Sequence, residues 1–298
     1  MQTIGRFAPS PTGSLHFGSL VAATASYLAA RAECGRWLLR IEDLDKPREQ
    51  VGAAAHIIQT LLALGFEWDG EILYQSQRLN AYQDALQHLS SHIYPCTCSR
   101  KAIQQAGQTG ALGLIYAGTC RAKTPLPAPQ QQYALRLRTD DSLTGFEDAI
   151  QGYYAQRLAN EVGDFVIRRA DGLFAYQLAV VVDDAFQGVN QIVRGADLLD
   201  NTPRQIYLQR LLGFPTPHYA HVPLAVDQDG QKLSKQNFAP SIDRTASVQN
   251  VVAALQFLGQ QPPRANDIAS LTELWDWAIA NWHIQNVPCT LTQPIPAL

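Results

Sequence analysis

His16 and Gly18 stand two positions apart in the string Phe7-Ala8-Pro9-Ser10-Pro11-Thr12-Gly13-Ser14-Leu15-His16-Phe17-Gly18-Ser19. Residues of these types suit nucleotide binding. An imidazole donates to a phosphate oxygen, and a glycine without a Cβ lets a flat base lie close to the backbone. Taken alone, the string reads equally well as a helix-capping histidine followed by a turn glycine. Far downstream, Gln231-Lys232-Leu233-Ser234-Lys235-Gln236 brackets a serine with two lysines. One of them can reach negative charge developing on a transferred phosphate, although by itself the stretch reads as a solvated turn. A third constellation is Cys96, Cys98 and Cys120, with Tyr116 four residues before the last. Zinc takes four ligands in tetrahedral geometry, and three thiolates supply all but one. On the residues alone, free cysteines are the slightly better reading, and His92, intrinsically a better ligand than Tyr116, competes with it for a fourth place.

The surrounding periodicity shows what must position these groups. Residues 3–8 read as a short buried strand, residues 9–13 as a Pro/Gly loop and residues 17–32 as a helix. The nucleotide-like string thus falls where a strand hands over to a helix, at the carboxyl end of an α/β sheet and beside helix N-terminal amides that favour phosphate. Residues 37–41 form a second strand, and an amphipathic helix follows Pro47 and stops at Gly65. A helix over about 76–92 leads into the cysteine region. Strands return at 133–137, 164–168 and 189–193, interleaved with helices over 176–186 and 203–212. This alternation predicts a parallel sheet with crossover helices. Beyond the lysine loop, helical patterns over 251–258 and 271–279 end in a proline-rich tail.

Composition narrows the classes. With 46% hydrophobic and 16% charged residues, the chain has the material for a real core and too little charge for global disorder. Its net charge of −3 excludes a non-specific nucleic-acid coat, so any contact with RNA is a selective one. Of the 23 basic residues 18 are arginine, the side chain whose planar fork grips carboxylate and phosphate at two points. No apolar run is long enough to cross a membrane, and Pro9 and Pro11 interrupt the place of a signal peptide. A cytoplasmic protein without membrane contact is expected. Five cysteines, three of them clustered, argue for a metal site over a disulfide framework, with Cys34 and Cys289 as buried or tail residues.

With both motifs on the page, the chain resembles the class I aminoacyl-tRNA synthetases. His16-Phe17-Gly18-Ser19 is similar to their HIGH signature, with serine in the last place, and Lys232 to Gln236 is similar to KMSKS. The segments FAPSPTG (7–13), RIEDLD (40–45) and NTPRQ (201–205) resemble glutamyl-tRNA synthetase over about residues 3–240. The early end after the lysine loop and the Cys-x-Cys insertion are similar to the family of glutamyl-queuosine tRNA(Asp) synthetases. The resemblance implies an α/β fold: a Rossmann-type doubly wound parallel sheet with an inserted zinc-binding subdomain and a short helical C-terminal stub. Residues 1–93 and 170–240 are the expected halves of the catalytic domain, 94–169 the insert and 241–298 the stub, with no anticodon-binding domain.

The resemblance also implies roles. ATP-dependent activation of L-glutamate and its transfer to the queuosine base of tRNA(Asp) is the expected function, with Mg2+ accompanying ATP and the protein a monomer. Arg6, Ala8, Ser10, Glu42, Tyr176 and Arg194 are expected around glutamate. Glu42 faces the ammonium, while Arg6 and Arg194 face the carboxylates. His16, Gly18, Lys232 and Lys235 are expected at ATP, with His16 and Lys235 stabilising charge during the reaction. Cys96, Cys98, Tyr116 and Cys120 are the expected ligands of a structural Zn2+. Two other functions compete: a shortened glutamyl-tRNA synthetase charging a tRNA 3′ end, and a non-catalytic RNA-binding paralogue.

Overall fold

The computed structural model describes residues 2–110, 112–122, 128, 130–227 and 241–295. Its first half opens with β1 (Ile4–Phe7), α1 (Phe17–Arg31), β2 (Arg36–Ile41), α2 (Ala53–Ala63), β3 (Leu73–Tyr74) and α3 (Leu79–His88). β1 runs parallel to β2 with Ile4 opposite Arg36 and Phe7 opposite Leu39, and β2 runs parallel to β3. β1 and β2 are buried on both faces beyond their first residues, as parallel sheets require, with Arg6 and Arg40 the buried charged exceptions to their apolar content. α1 packs against them through Ala23, Ala25, Leu28, Ala29 and Ala30, all buried. Gly35 makes the tight return from α1 to β2 possible: a Cβ there would lie 2.5 Å from the carbonyl oxygen of Thr3 and 2.8 Å from that of Ala30. α3 is shorter than the expected 76–92. Separate helical turns, Gln75–Gln77 and Ser90–His92, flank it.

The middle of the chain contributes β4 (Ile93–Cys96), α4 (Arg100–Ala106), β5 (Gln108–Gly110), β6 (Gly113–Ile115), β7 (Ala134–Leu137), β8 (Leu143–Asp148), β9 (Gly152–Arg157), α5 (Leu158–Glu161) and β10 (Val166–Arg168). β10, β7 and β4 form an antiparallel sheet in that order, and β5 and β6 form a small hairpin beside the cysteines. The hairpin β8–β9, absent from the sequence expectation, pairs along its whole length from Leu143 opposite Arg157 to Asp148 opposite Gly152.

The last part supplies α6 (Tyr176–Phe186), β11 (Gln191–Gly195), α7 (Thr202–Leu212), β12 (His218–Val222), β13 (Leu224–Val226), α8 (Ser247–Phe257), α9 (Leu271–Ala280) and β14 (Thr292–Pro294). β11 and β12 are parallel, and β12 continues through Tyr219 and Asp148 into β8, giving the order β11, β12, β8, β9. The amide of Asn190, just before β11, donates to the carbonyl of Ile4 at 3.1 Å. β1 therefore has β2 on one side and β11 on the other, and the carboxyl ends of the three strands open one crevice at this switch in strand order. This is the mixed α/β, Rossmann-like architecture that the alternation predicts. α8 and α9 are part of the main core, where Leu255, Phe257 and Trp275 pack with Trp37 and Phe66. Among the described residues no helix is long and apolar enough to cross a membrane. Cys34 is exposed, not buried, as is Cys289.

Candidate active site

A cleft of about 670 Å³ lies at the carboxyl ends of β1, β2 and β11. Arg6 comes from β1 and Ala8 and Ser10 from the loop after it. The amides of Glu42 and Gln50 fix that loop by donating to the carbonyls of Pro9 and Pro11, each at 3.0 Å. His16 and Gly18 start α1, Glu42 follows β2, Tyr176 begins α6 and Arg194 lies on β11. All eight residues line this cleft. Lys232 and Lys235 lie outside the described residues. Their described flanks are at the site: Leu224 and Ala225 of β13 line the cleft, and Ser241 forms a β-bridge with His16. The His16 side chain does not cap α1. A Cβ on Gly18 would meet the His16 ring at 3.5 Å, ordinary contact, so protein packing does not itself demand glycine there.

Behind Arg6 and Glu42, which line the cleft, lies a buried charge array. Asp184 on α6 accepts from Arg6 Nε at 3.1 Å and from Arg40 Nη1 at 2.8 Å. Arg40 also donates through Nη1 to Gln187 at 2.8 Å and through Nη2 to Glu42 at 3.4 Å. Burial pushes the Asp184 carboxyl up, but the charges of Arg40 and Arg6 outweigh it and hold the group below the usual carboxylate range. For Glu42 the balance reverses: burial dominates and raises its carboxyl despite the same two arginines. Glu42 thus has more to gain from an added cation than an exposed acid would. On the far wall Arg194 donates through Nη1 to the Tyr176 hydroxyl at 3.2 Å, through Nη2 to Thr202 Oγ1 at 2.8 Å and through Nε to His221 Nε2 at 3.1 Å. Two guanidinium groups and one carboxylate in a single cleft complement a ligand that carries two carboxylates and an ammonium.

Sequence reasoning did not single out Arg40, Asp184, Thr202 or His221. Arg40 lies inside RIEDLD and Thr202 inside NTPRQ, so motif membership marked both. Asp184 lies in an apolar helix and His221 in an ordinary strand, and no local pattern shows that they meet arginines from distant segments.

A second constellation lies in the middle of the chain. The sulfurs of Cys96, Cys98 and Cys120 lie within 4.8 Å of one another. The Tyr116 hydroxyl stands 3.3 Å from Cys96 Sγ and 3.8 Å from Cys98 Sγ, and it accepts from the Cys120 amide at 2.9 Å. Burial pushes the Cys120 thiol up, but hydrogen bonds from the Thr97 amide and from Cys98, Tyr116 and Cys96 outweigh it and bring the thiol down to about 7. Three sulfurs and a phenol oxygen at these separations form a donor set that can close around one tetrahedral cation. His92 is not part of this group.

The cleft at a sheet switch point, with a synthetase-type signature at its rim, defines a class I tRNA synthetase catalytic domain. The model for "tRNA synthetases class I (E and Q), catalytic domain" matches residues 2–278. Proteins described as glutamyl-Q tRNA(Asp) synthetase are similar over nearly the whole chain. The one from Dechloromonas aromatica is 56% identical over 290 residues, 95% of each chain. The one from Neisseria meningitidis serogroup C is 54% identical over 95% of this chain and 97% of the relative. The chain belongs to this glutamyl-Q tRNA(Asp) synthetase family. The fold agrees with the crystal structure of glutamate-tRNA synthetase from Elizabethkingia anophelis, with a TM-score of 0.82 at 22% identity over all of this chain and 68% of that one.

Proposed function

We propose that the protein activates L-glutamate with ATP and transfers it to the queuosine base of tRNA(Asp). The observation that carries this reading is the pairing of Arg6 and Arg194 with Glu42 in one cleft whose rim is formed by His16 and Gly18. The family supports the choice of glutamate and of queuosine-bearing tRNA(Asp) as substrates.

In this reading Arg6 and Arg194 bind the two carboxylates of glutamate and Glu42 binds its ammonium. Ala8 and Ser10 offer backbone and hydroxyl contacts from the first loop, and Tyr176 closes the side-chain end. One α-carboxylate oxygen attacks the α-phosphorus of ATP. The bond to the β,γ-phosphates breaks, pyrophosphate leaves and a glutamyl adenylate remains. His16, Lys232 and Lys235 stabilise the phosphate charge, Gly18 leaves room for the adenine, and Mg2+ accompanies ATP as a charge neutraliser. A nucleophile of the queuosine then attacks the glutamyl carbonyl, AMP departs and the nucleophile's proton passes to solvent. Alignment supplies most of the rate, so no covalent enzyme intermediate is required. Residues 94–169 are the proposed inserted subdomain, and Cys96, Cys98, Tyr116 and Cys120 would hold a structural Zn2+ in its first part. The reaction takes place in the cytoplasm, on a monomer.

The test offers labelled glutamate and ATP with tRNA(Asp) that carries or lacks queuosine. Label is expected only on the queuosine-bearing RNA, together with glutamate-dependent exchange between ATP and pyrophosphate. Equal incorporation into both RNAs refutes the acceptor, and absence of exchange refutes activation.

A further inference from the structure

The contact behind Arg194 is chemically selective. An arginine Nε carries a hydrogen and can only donate, so His221 Nε2, 3.1 Å away, must present its lone pair to it, and the Thr202 hydroxyl, also 3.1 Å from Nε2, is then a second donor to that nitrogen. The imidazole hydrogen is then on Nδ1, which faces Asp148 Oδ2 at 2.5 Å. His221 and Asp148 are both fully buried at their side chains, so water does not offer either group an alternative partner. Asp148 is itself held: Oδ1 accepts from the amides of Ile150 at 3.0 Å, Gln151 at 2.9 Å and His221 at 3.1 Å. Burial lowers the His221 pKa and the Arg194 charge adds to this, against the pull of Asp148, which agrees with a neutral ring. With Tyr176, Thr202 and the Leu198 carbonyl engaging other N–H groups, the guanidinium is fixed in its plane while Arg194 still lines the cleft.

We propose that Asp148 and His221 are positioning residues for substrate recognition: Asp148 sets the His221 tautomer, His221 accepts from Arg194 Nε, and the guanidinium is thereby aimed at a carboxylate of the amino-acid substrate. Asp148 comes from the β8–β9 hairpin and His221 from β12, so the single Tyr219–Asp148 pairing between β12 and β8 brings the pair under the cleft. This inference rests on the glutamate reading above.

Asp148→Asn is the decisive variant. Three amides keep the Asn oxygen where Oδ1 was, so the Asn NH2 must face His221 Nδ1. That drives the imidazole hydrogen to Nε2, against the Arg194 N–H. The expected result in ATP–pyrophosphate exchange is a rise in KM for glutamate of ~10- to 100-fold, with KM for ATP changed less than about 2-fold and kcat less than about 3-fold. His221→Gln keeps an acceptor toward Arg194 and is expected to fall between wild type and His221→Ala. An Asp148→Asn enzyme with wild-type KM for glutamate, or with both KM values raised equally, overturns the proposal. Should the variants fail to fold, nitrogen-15 NMR of histidine-labelled wild-type protein decides: a neutral Nδ1–H ring at His221 is expected, and an Nε2–H ring or an imidazolium at neutral pH overturns it. Wild-type exchange separates the two claims. No glutamate-dependent exchange in wild type sinks the glutamate reading and leaves the tautomer measurement to decide the positioning pair.

Discussion

Glu42 and Gly18 show how single residues of one cleft set different parts of its chemistry. Because burial raises the Glu42 carboxyl, the free enzyme loses this anion at a higher pH than an exposed glutamate would. Below that point the ammonium of the substrate loses its counter-charge, whereas a bound ammonium stabilises the ionised form. An acid limb is therefore expected in kcat/KM for glutamate, which reports the free enzyme, and a weaker one in kcat. Measured by pyrophosphate exchange across pH, Glu42→Gln should remove the limb and lower kcat/KM by about 10- to 100-fold. A limb that survives in Glu42→Gln assigns it to another group. Gly18 lies in the first turn of α1, where a methyl makes only ordinary contact with the protein. Gly18→Ala should leave the melting temperature unchanged or slightly raised while KM for ATP rises about tenfold, because the added methyl meets the nucleotide. An unaltered KM for ATP would show that no base lies against this backbone.

At the scale of elements, the cysteine cluster gathers the segment that carries α4, β5 and β6 onto the end of β4. Cys96 ends β4, opposite Ala134 of β7, and Cys98 and Cys120 both come from the chain that connects these two strands. Arg136 of β7 lies over the Tyr116 ring, its guanidinium carbon 3.8 Å from the ring centroid, so the phenol is packed as well as hydrogen-bonded. The short β5–β6 hairpin has little core of its own, and a bound cation is the expected source of its order. Elemental analysis of protein purified without chelator should find about one equivalent of zinc. Its removal should raise amide hydrogen exchange in β4, β5, β6 and β7 while α1 and β11 stay protected. Protein that carries no zinc and exchanges slowly in these strands would show the cluster to be a plain thiol core.

Across the whole molecule, the two ends of the chain share one core. Tyr27 of α1, Trp37 of β2, Phe66 after α2 and Trp275 of α9 form an aromatic cluster, with Tyr27 to Trp275 at 5.0 Å and Phe66 to Trp275 at 4.9 Å between centroids. Trp275 Nε1 also donates to the Leu64 carbonyl at 2.9 Å. Trp275→Ala should therefore cost about 3–5 kcal/mol in denaturant unfolding as one transition of the whole chain. A separate early transition would show that α8 and α9 fold independently of the catalytic core. The sequence by itself determined the elements whose periodicity is local: α1, α6 and α7 fall where apolar spacing places them, and the motif strings put Arg6, His16 and Glu42 beside strand ends. It also marked the cysteine cluster by spacing. The resemblance had placed Arg194 at the same ligand, but only the tertiary structure decided that Asp184 holds Arg6 and Arg40 together and that Asp148 and His221 meet behind Arg194. Strand β12 was likewise not legible, because its partners in β11 and β8 are dozens of residues away; the hairpin β8–β9 pairs locally, but its Leu143 and Tyr153 are exposed while Thr144, Asp148 and Gln156 are buried, so no apolar alternation marks it. Local pattern follows from the geometry of a helix or strand, whereas long-range charge pairs exist only after burial removes water as the competing partner.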